Sequence, residues 1–304
     1  MARERYADQV KLLVDVIPAI AGEESFALKG GTAINLFYRD LPRLSVDIDL
    51  TFLPIKSRDE SLAEIDMAMD RIGASGEAIA GATASRIAGG GGGATRVLFQ
   101  RGTATVKVET SPVTRGVVFD PETKRVTPAV EDEFGFAETR IVAFEDLFAG
   151  KIHAALDRQH PRDLFDVKLL YENEGLTNDL FRAFLVYVAS SSRPPHELLD
   201  PNLLHLEEVY KSEFAGMTRT EVTLPVLEEA RGRLILDIKS RLTGSAAIFL
   251  RSLVNGNPDF VSIDLPQAEP LPAVQWKVQN LLRLKASNPK KFDAQIDSVE
   301  SLLS

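Results

Sequence analysis

Two aspartates alternate with apolar residues in the segment VDIDLTF, which spans residues 46–52. The alternation predicts a β-strand, because successive side chains of a strand point to opposite faces of a sheet. One face is then apolar, and Asp47 and Asp49 lie together on the other. Neighbouring carboxylates repel each other and are costly to desolvate. Any fold that contains this strand must therefore place a cation beside it.

Two glycines and a hydroxyl residue, Gly30, Gly31 and Thr32, come shortly before this strand. Residues 26–29 predict a short strand that leads into them, and residues 32–39 carry apolar side chains at helical spacing. A turn that opens a helix presents unpaired backbone N–H groups, which bind anions. The sequence thus predicts an anion site close to the two aspartates.

A third acid, Glu109, lies on the polar face of another alternating segment, residues 104–110. Mg²⁺ prefers oxygen ligands and uses few protein carboxylates, because water and substrate phosphates complete its shell. Asp47, Asp49 and Glu109 are therefore candidate ligands, and two metal ions held by such acids activate a hydroxyl and stabilise a leaving pyrophosphate. With the glycine turn, these acids indicate a site for Mg²⁺ and a nucleoside triphosphate (NTP). Alternatively, Glu109 is only an ion-pair partner of Lys107.

The remaining pattern predicts an α+β fold. Helices are expected at residues 5–20 and 57–73, and further strands at residues 96–100, 117–119 and 140–144. Five consecutive glycines, residues 89–93, are interpreted as a flexible connection, because no GK[ST] motif follows them. From residue 145 onward the pattern is helical. We therefore predict a mixed β-sheet flanked by helices in residues 1–172 and an all-helical C-terminal domain in residues 173–304.

Composition excludes several classes of protein. The chain has no cysteine, so disulfides and thiolate metal sites are excluded and a reducing compartment is expected. No apolar run approaches the roughly 18 residues that span a bilayer. Residues 1–22 predict an amphipathic helix rather than a secretory signal. We therefore expect a cytoplasmic protein that has no membrane partner.

The net charge of −9 argues against a protein that coats nucleic acid without sequence preference. Basic residues are nevertheless concentrated in the central part of the chain, at Arg115, Lys124, Arg125, Arg140, Lys151, Arg158 and Arg162. These side chains are either ordinary solvated cations or the lining of a local basic groove.

Several stretches of the sequence resemble a known family. The glycine turn, the Asp-x-Asp strand and the later strand acid resemble the DNA polymerase beta-type nucleotidyltransferase superfamily. RLSVDIDLTF (residues 43–52) and FEDLFAGKIHAALDRQHPRDLFDVKLL (residues 144–170) are similar to the AbiEii/AbiGii toxin family, which includes the MenT-type toxins. LPAVQWKVQNLLRL (residues 271–284) is similar to the helical C-terminal segment of its longer members.

The resemblance implies roles for individual residues. Asp47 and Asp49 correspond to metal ligands and, with Lys151 and Asp166, to the catalytic residues. The corresponding nucleotide-binding residues are Gly30, Gly31, Thr32, Arg43, Ser45 and Arg162. Lys151 offers a compact cation to phosphates, and Asp166 is expected to orient this lysine or a neighbouring arginine.

The resemblance also implies a reaction and its partners. The protein would be a toxin that moves a nucleoside monophosphate from an NTP onto RNA. The implied acceptor is the 3′ end of tRNA, so that translation and growth stop. A cognate antitoxin is implied as well, either another protein or a kinase. A kinase would act at Thr32 or Ser45, because a phosphate there repels both the metal-site acids and the incoming NTP.

Two alternatives remain open at this point. One is a nucleotidyltransferase that modifies a protein or a small molecule instead of RNA. The other is a non-catalytic antitoxin or binding module on the same fold. The combination of Asp47, Asp49 and Lys151 disfavours the second alternative, since a binding module has no need of it.

Overall fold

The computed structural model describes residues 2–89 and 93–304. The chain forms two compact units. Unit 1 comprises Met1–Ala143 and Met217–Thr220, and unit 2 comprises Phe144–Gly216 and Glu221–Ser304. The predicted boundary after residue 172 differs from this division, because residues 144–172 belong to unit 2. That the boundary separates two functional domains stays a prediction.

The predicted flexible connection at the glycine run lies partly outside the described residues, which omit residues 90–92. Described strands precede and follow it, ending at Gly89 and beginning at Gly93. In the described part of the chain, no helix is long and apolar enough to cross a membrane.

Unit 1 is built on a mixed β-sheet. Its strands are β1 (Phe26–Lys29), β2 (Asp47–Phe52), β3 (Thr83–Gly89), β4 (Gly93–Arg101), β5 (Ala104–Thr110), β6 (Glu122–Arg125) and β7 (Glu138–Ile141). Its helices are α1 (Ala2–Ala21), α2 (Gly30–Ala33), α3 (Arg58–Ala80) and α4 (Pro128–Phe134). A π-helix, Ile34–Tyr38, follows α2 directly. The predicted α+β fold class is confirmed by this arrangement.

The strand order places the two aspartates in the middle of the sheet. The order is β3-β4-β5-β2-β1-β7-β6. The β1–β7 and β2–β5 pairs are parallel, whereas the β1–β2, β3–β4, β4–β5 and β6–β7 pairs are antiparallel. Strand β2 therefore has β1 on one side and β5 on the other, so its acids have neighbours on both strands.

One face of the sheet forms the core of unit 1. Helix α1 packs on β5 and helix α3 packs on β4. The side chains of Ile48, Leu50, Val97, Phe99, Val106 and Val108 are fully buried. Burial of apolar area at about 25 cal/mol per Å² is the main stabilising contribution to such a core. The acids of β2 alternate with these residues and thus lie on the opposite face.

A segment remote in sequence completes unit 1. Met217 accepts a hydrogen bond at its carbonyl from the Leu44 amide, and Thr218 forms an isolated β-bridge with Arg43. Arg219 donates from Nε to the Leu41 carbonyl over 3.0 Å. These contacts fix the residues that lead into β2. The sequence pattern predicts no such contribution from the C-terminal half.

Unit 2 is helical. Its helices are α5 (Phe144–Asp157), α6 (Pro161–Asn173), α7 (Asn178–Ser190), α8 (Pro195–Leu199), α9 (Glu207–Glu213), α10 (Leu224–Ser240), α11 (Gly244–Val254), α12 (Pro272–Ser287) and α13 (Pro289–Leu303). Short 3₁₀ helices occupy Phe260–Ile263 and Pro266–Ala268. The prediction of a helical C-terminal half is confirmed.

One predicted strand is wrong. Residues 117–119 contain no strand, and the edge strand β6 follows them at Glu122–Arg125. Gly116 has a φ of +78°, and its amide donates to the Phe52 carbonyl. The chain therefore turns at this point instead of extending. Strand β6 has no apolar alternation, since its sequence is ETKR.

Candidate functional site

The aspartates of β2 project from one face of the sheet, and strands β1, β5 and β4 also place charged side chains on that face. Asp49 is in register with Lys29 of β1 and with Glu109 of β5, and Glu109 is in register with Arg96 of β4. Directly paired residues of adjacent strands point to the same face. A row of side chains, Lys29–Asp49–Glu109–Arg96, therefore crosses the sheet. Cations stand at both ends of this row, which provides the compensation that two strand acids require.

The ion pairs of this face centre on Glu109. Arg96 Nε lies 2.9 Å from Glu109 Oε2, and Lys107 Nζ lies 3.2 Å from Glu109 Oε1. Lys107 Nζ is also 3.9 Å from Asp47 Oδ2. Both oxygens of Glu109 therefore face cations. Lys107 links Glu109 to Asp47, so the suggested pairing of Glu109 with Lys107 is present in the structure.

The glycine turn packs directly against Asp49. Gly30 has a φ of +77°, and a Cβ atom there would lie 2.6 Å from Asp49 Oδ2. A Cβ atom on Gly31 would lie 2.7 Å from Arg43 Nη2 and 2.9 Å from Ser45 Oγ. Only glycine permits this backbone conformation and this approach at low cost. The turn and the acid are thus held at contact distance.

Thr32 fastens the turn to β2. Its side chain is buried, its Oγ1 donates to the Asp47 carbonyl, and Oγ1 lies 3.0 Å from Ser45 Oγ. Asn35 Nδ2 donates to the Gly31 carbonyl over 2.7 Å. The Thr32 hydroxyl therefore has partners inside unit 1. A contact between Thr32 and the triphosphate stays a prediction.

Arg43 lies behind the turn. Its side chain is buried, and Nη1 donates to the Leu44 carbonyl over 2.8 Å. Its position against Gly31 brings a cation close to the turn that is predicted to bind an anion. Arg43 and Ser45 therefore both pack against the turn at Gly31.

A cavity of about 270 Å³ opens beside Asp49. Its lining residues are Lys29, Asp49, Leu50, Thr95, Arg96, Glu109, Thr110, Ser111 and Pro112. All four residues of the charged row therefore line the cavity. This volume lies just below the usual range of ligand sites, about 300–1,000 Å³.

The carboxylates of this face are candidate ligands of a divalent cation. Within the described residues, no three His, Cys, Asp or Glu side chains form a group that could hold a metal ion. Asp47 and Asp49 nevertheless fit a Mg²⁺ site of the common type, in which one or two carboxylates act with water and substrate phosphates. Glu109 fits less well, because both of its oxygens are paired with cations.

Unit 2 contains a buried cluster of basic and acidic side chains. Lys151 of α5 is 7% exposed, and its Nζ lies 2.8 Å from Asp163 Oδ1 and 2.9 Å from Asp166 Oδ2, both on α6. Arg158 Nε lies 2.6 Å from Asp163 Oδ2. The predicted contact between Asp166 and Lys151 is therefore present. The two helix motifs converge because α6 follows α5 after a short connection.

The cations determine the ionisation of Asp163. Burial alone would raise the pKa of this carboxyl, but the charges and hydrogen bonds of Lys151 and Arg158 hold its pKa well below the usual range. Asp163 is thus ionised at neutral pH. The cluster thus combines two acids, Asp163 and Asp166, with two basic residues, Lys151 and Arg158.

The first turn of α6 is capped by a histidine. His160 Nδ1 accepts a hydrogen bond from the Arg162 amide, and His160 Nε2 lies 3.1 Å from Glu213 Oε2. Burial is the largest cause of the lowered pKa of His160. Arg162 Nη2 lies 3.6 Å from the same Glu213 oxygen. His160 thus has a structural role as the N-cap residue of α6.

The central basic residues are mostly engaged by acids of their own unit. In unit 1, Lys124 pairs with Glu122 and Arg125 with Glu138, each at 2.9 Å. In unit 2, Arg158, Lys151 and Arg162 have the carboxylate partners given above. These pairings favour the interpretation of the central cations as locally neutralised side chains over that of a free basic groove.

The predicted site residues fall into two groups. Unit 1 brings together Gly30, Gly31, Thr32, Arg43, Ser45, Asp47, Asp49 and Glu109. Unit 2 contains Lys151, Arg162 and Asp166. Lys29 and Arg96 were missed as members of the first group. Their signal is weak, because it requires the pairing of β1 and β4 with their neighbours as well as the alternation within each strand.

A protein-family model matches most of the chain. Residues 11–280 match the model of a protein family described as nucleotidyl transferase AbiEii toxin, Type IV TA system. Comparison with curated protein sequences gives no match.

A similar solved structure is that of MenT4, a nucleotidyltransferase toxin from Mycobacterium tuberculosis H37Rv. It shares 15% sequence identity with this chain at a TM-score of 0.58, and the match covers 92% of this chain and 91% of MenT4. At this identity the likeness establishes a shared fold, which confirms the predicted nucleotidyltransferase-type architecture. The family match spans most of the sequence. The chain therefore belongs to the AbiEii family of nucleotidyltransferase toxins of type IV toxin–antitoxin systems.

Proposed function

We propose that this protein transfers a nucleoside monophosphate from an NTP to an acceptor hydroxyl and releases pyrophosphate. The observation that carries the proposal is the placement of Asp47 and Asp49 on one face of β2, with the Gly30 turn in contact with Asp49. A pair of carboxylates beside a glycine turn suits a metal-bound polyphosphate.

Asp47 and Asp49 would hold the divalent cation, and the family supports the use of such an ion. When bound, Mg²⁺ neutralises phosphate charge and favours ionisation of the attacking hydroxyl. A second metal ion and the participation of Glu109 as a third ligand stay predictions. The two strand acids suffice for one ion that shares its remaining positions with water and phosphate.

The other residues of unit 1 would position the NTP. Gly30 and Gly31 bring backbone close to the phosphates, and Arg43 and Ser45 support the turn from behind. Positioning of reactants and stabilisation of phosphate charge are the main sources of catalysis in such reactions. Lys151, Arg162 and Asp166 are assigned to the reaction on the sequence resemblance alone.

The proposed acceptor is the 3′ end of tRNA, and modification of that end would stop translation. This assignment rests on the resemblance to the toxin family. It places the reaction in the cytoplasm, where NTP and tRNA occur together. The proposed antitoxin is a protein or a kinase. Burial of Thr32 leaves the half-buried Ser45 as the more accessible of the two hydroxyls that a kinase could modify.

A labelling experiment tests the acceptor. The protein is incubated with Mg²⁺, total bacterial tRNA and each of four NTPs labelled at the α-phosphate. Asp49→Asn removes one candidate ligand with little change of shape. Glu138→Gln is the matched control, because it removes a strand carboxylate whose partner is Arg125 rather than a residue of the cavity.

The proposal predicts label on tRNA with the wild type and with Glu138→Gln, and none with Asp49→Asn. Label on protein alone would show that the acceptor is a protein rather than RNA. Absence of any label from a protein that still binds NTP would favour the non-catalytic alternative and contradict the proposal.

A further inference from the structure

Arg96 and Lys29 mark the two ends of the charged row in unit 1. Lys29 pairs in register with Asp49, and Arg96 pairs in register with Glu109. Both line the cavity of about 270 Å³ whose wall includes Asp49. Two cations therefore face one cavity across a carboxylate that is a candidate metal ligand. This is the charge pattern that a metal-bound polyphosphate would require of its site.

Arg96 is held in place by Glu109. The Nε–Oε2 distance of 2.9 Å is that of a charge-assisted hydrogen bond, while 43% of the Arg96 side chain stays exposed. The guanidinium is thus held by Glu109, and Arg96 also lines the cavity. A guanidinium that is fixed in this way loses less conformational freedom when it binds a phosphate.

Glu109 is occupied by cations on both of its oxygens. Arg96 takes Oε2, and Lys107 takes Oε1 at 3.2 Å. To become a metal ligand, Glu109 would have to exchange at least one of these ion pairs for the metal. Asp47 is engaged by Lys107 at the longer distance of 3.9 Å.

We infer that Lys29 and Arg96 form a binding site for the polyphosphate chain of the NTP, and that Glu109 is a positioning residue for Arg96. The inference rests on the proposed function, because it assigns the substrate of the same site. The cavity brings two cations and the candidate metal ligand Asp49 to one wall, which suits a metal-bound phosphate chain.

The test is a double-mutant cycle. The variants are Arg96→Gln, Glu109→Gln and the double variant, and the probe is an NTP analogue with a non-hydrolysable α–β bridge in the presence of Mg²⁺. Two quantities are measured, the dissociation constant of the analogue by calorimetry and the Mg²⁺ concentration that gives half-maximal nucleotidyl transfer. Thermal unfolding establishes that each variant folds.

Arg101→Gln is the matched control. Arg101 lies on the same strand, its side chain is on the opposite face, and its partner is Asp15 at 2.8 Å. Arg101 does not line the cavity. Its replacement should therefore leave both the dissociation constant and the Mg²⁺ requirement unchanged.

The inference predicts that Arg96→Gln weakens binding of the analogue by about tenfold or more, as loss of a charged hydrogen bond does. Glu109→Gln should weaken it by a smaller factor in the same direction. The double variant should be no weaker than Arg96→Gln, because Glu109 acts through Arg96. The Mg²⁺ requirement should stay at the wild-type value in Glu109→Gln.

Two results would overturn the inference while leaving the proposed function intact. One is an increase of tenfold or more in the Mg²⁺ requirement of Glu109→Gln together with unchanged binding in Arg96→Gln, which would make Glu109 a metal ligand. The other is wild-type affinity in both single variants. A wild-type protein that neither binds the analogue nor transfers nucleotide would instead reject the proposed function, and the inference with it.

Discussion

The backbone of Gly30 and the carboxylate of Asp49 are close enough in unit 1 that no side chain fits between them. The backbone at Gly30 therefore limits where the Asp49 carboxylate can lie. The left-handed conformation of Gly30, with a φ of +77°, turns the chain out of β1 and into α2. Residues with a Cβ atom adopt this conformation at a cost of about 1–2 kcal/mol.

Gly30→Ala should therefore abolish nucleotidyl transfer, because the new methyl group displaces Asp49, and should lower stability by about 1–2 kcal/mol. Gly102→Ala is the matched control. Gly102 has a φ of +59°, and a Cβ atom there meets nothing within 4 Å. The Gly102→Ala variant should lose a similar amount of stability and keep its nucleotidyl transfer activity. Equal activity of the two variants in the labelling assay would contradict the account.

Lys151 in unit 2 gives a second prediction for a single residue. Lys151→Met leaves Asp163 and Asp166 buried with less compensation, which should cost about 3–5 kcal/mol of unfolding free energy. Lys168→Met is the control, because Lys168 forms an (i, i+4) pair with the exposed Glu172 and should contribute at most about 0.5 kcal/mol. Urea-induced unfolding measures both. A loss below about 1 kcal/mol in Lys151→Met would show that the cluster relaxes.

At the scale of elements, helix α12 carries a buried cation that links it to the connection between α7 and α8. Lys277 Nζ donates to the Arg193 carbonyl. Burial lowers the pKa of Lys277 to about 8, although the nearby Glu197 raises it. His153 of α5 has a pKa lowered by burial and also by the charges of Arg193 and Lys277. The packing of α12 should therefore depend on pH.

The direction of that dependence follows from proton binding. The unfolded state holds its lysine proton up to about pH 10.4, whereas folded Lys277 releases it near pH 8. Between these values the unfolded state binds more protons, so stability rises with pH by up to about 3 kcal/mol. The difference in melting temperature between wild type and Lys277→Met should therefore change from pH 7.5 to pH 10. A constant difference would contradict the assigned pKa.

The elements differ in how well their sequences predict them. Strands β2 and β5 alternate clearly, because one face is buried and the other is charged. Strand β6 could not be predicted, because an edge strand that buries little needs no alternation. Strand β3 was missed as well, and its glycine-ended sequence TASRIAG offers little apolar pattern.

The candidate site was predictable to a similar extent. Asp47, Asp49 and the glycine turn lie close together in sequence, and the sequence pattern alone identifies them as candidate site residues. The approach of Gly30 to Asp49 and the row that includes Lys29 and Arg96 depend on strand pairing. Pairing is a tertiary property that one sequence does not specify, and the same holds for the contribution of Met217–Thr220 to unit 1.

At the scale of the whole molecule, the net charge is −9 and many cations have carboxylate partners within their own unit. A protein with this balance gains little from release of counterions on nucleic acid. An RNA acceptor would therefore be bound by local contacts rather than by a general basic surface.

This balance predicts weak binding to nucleic acid without regard to sequence. The dissociation constant for a short DNA duplex at physiological salt should be weaker than about 10⁻⁴ M. Fluorescence anisotropy of a labelled duplex measures it. A dissociation constant near 10⁻⁶ M with a steep salt dependence would reveal a basic surface and contradict the prediction.

The measurement that tests the central claim most directly is the Mg²⁺ dependence of nucleotidyl transfer. The wild type, Asp47→Asn, Asp49→Asn and Glu138→Gln are compared with NTP labelled at the α-phosphate or at the γ-phosphate. The account predicts transfer of the α-label alone, its loss on chelation, and a decrease of about 10³-fold in both Asn variants but not in Glu138→Gln. Transfer of the γ-label, or full activity in both Asn variants, would contradict it.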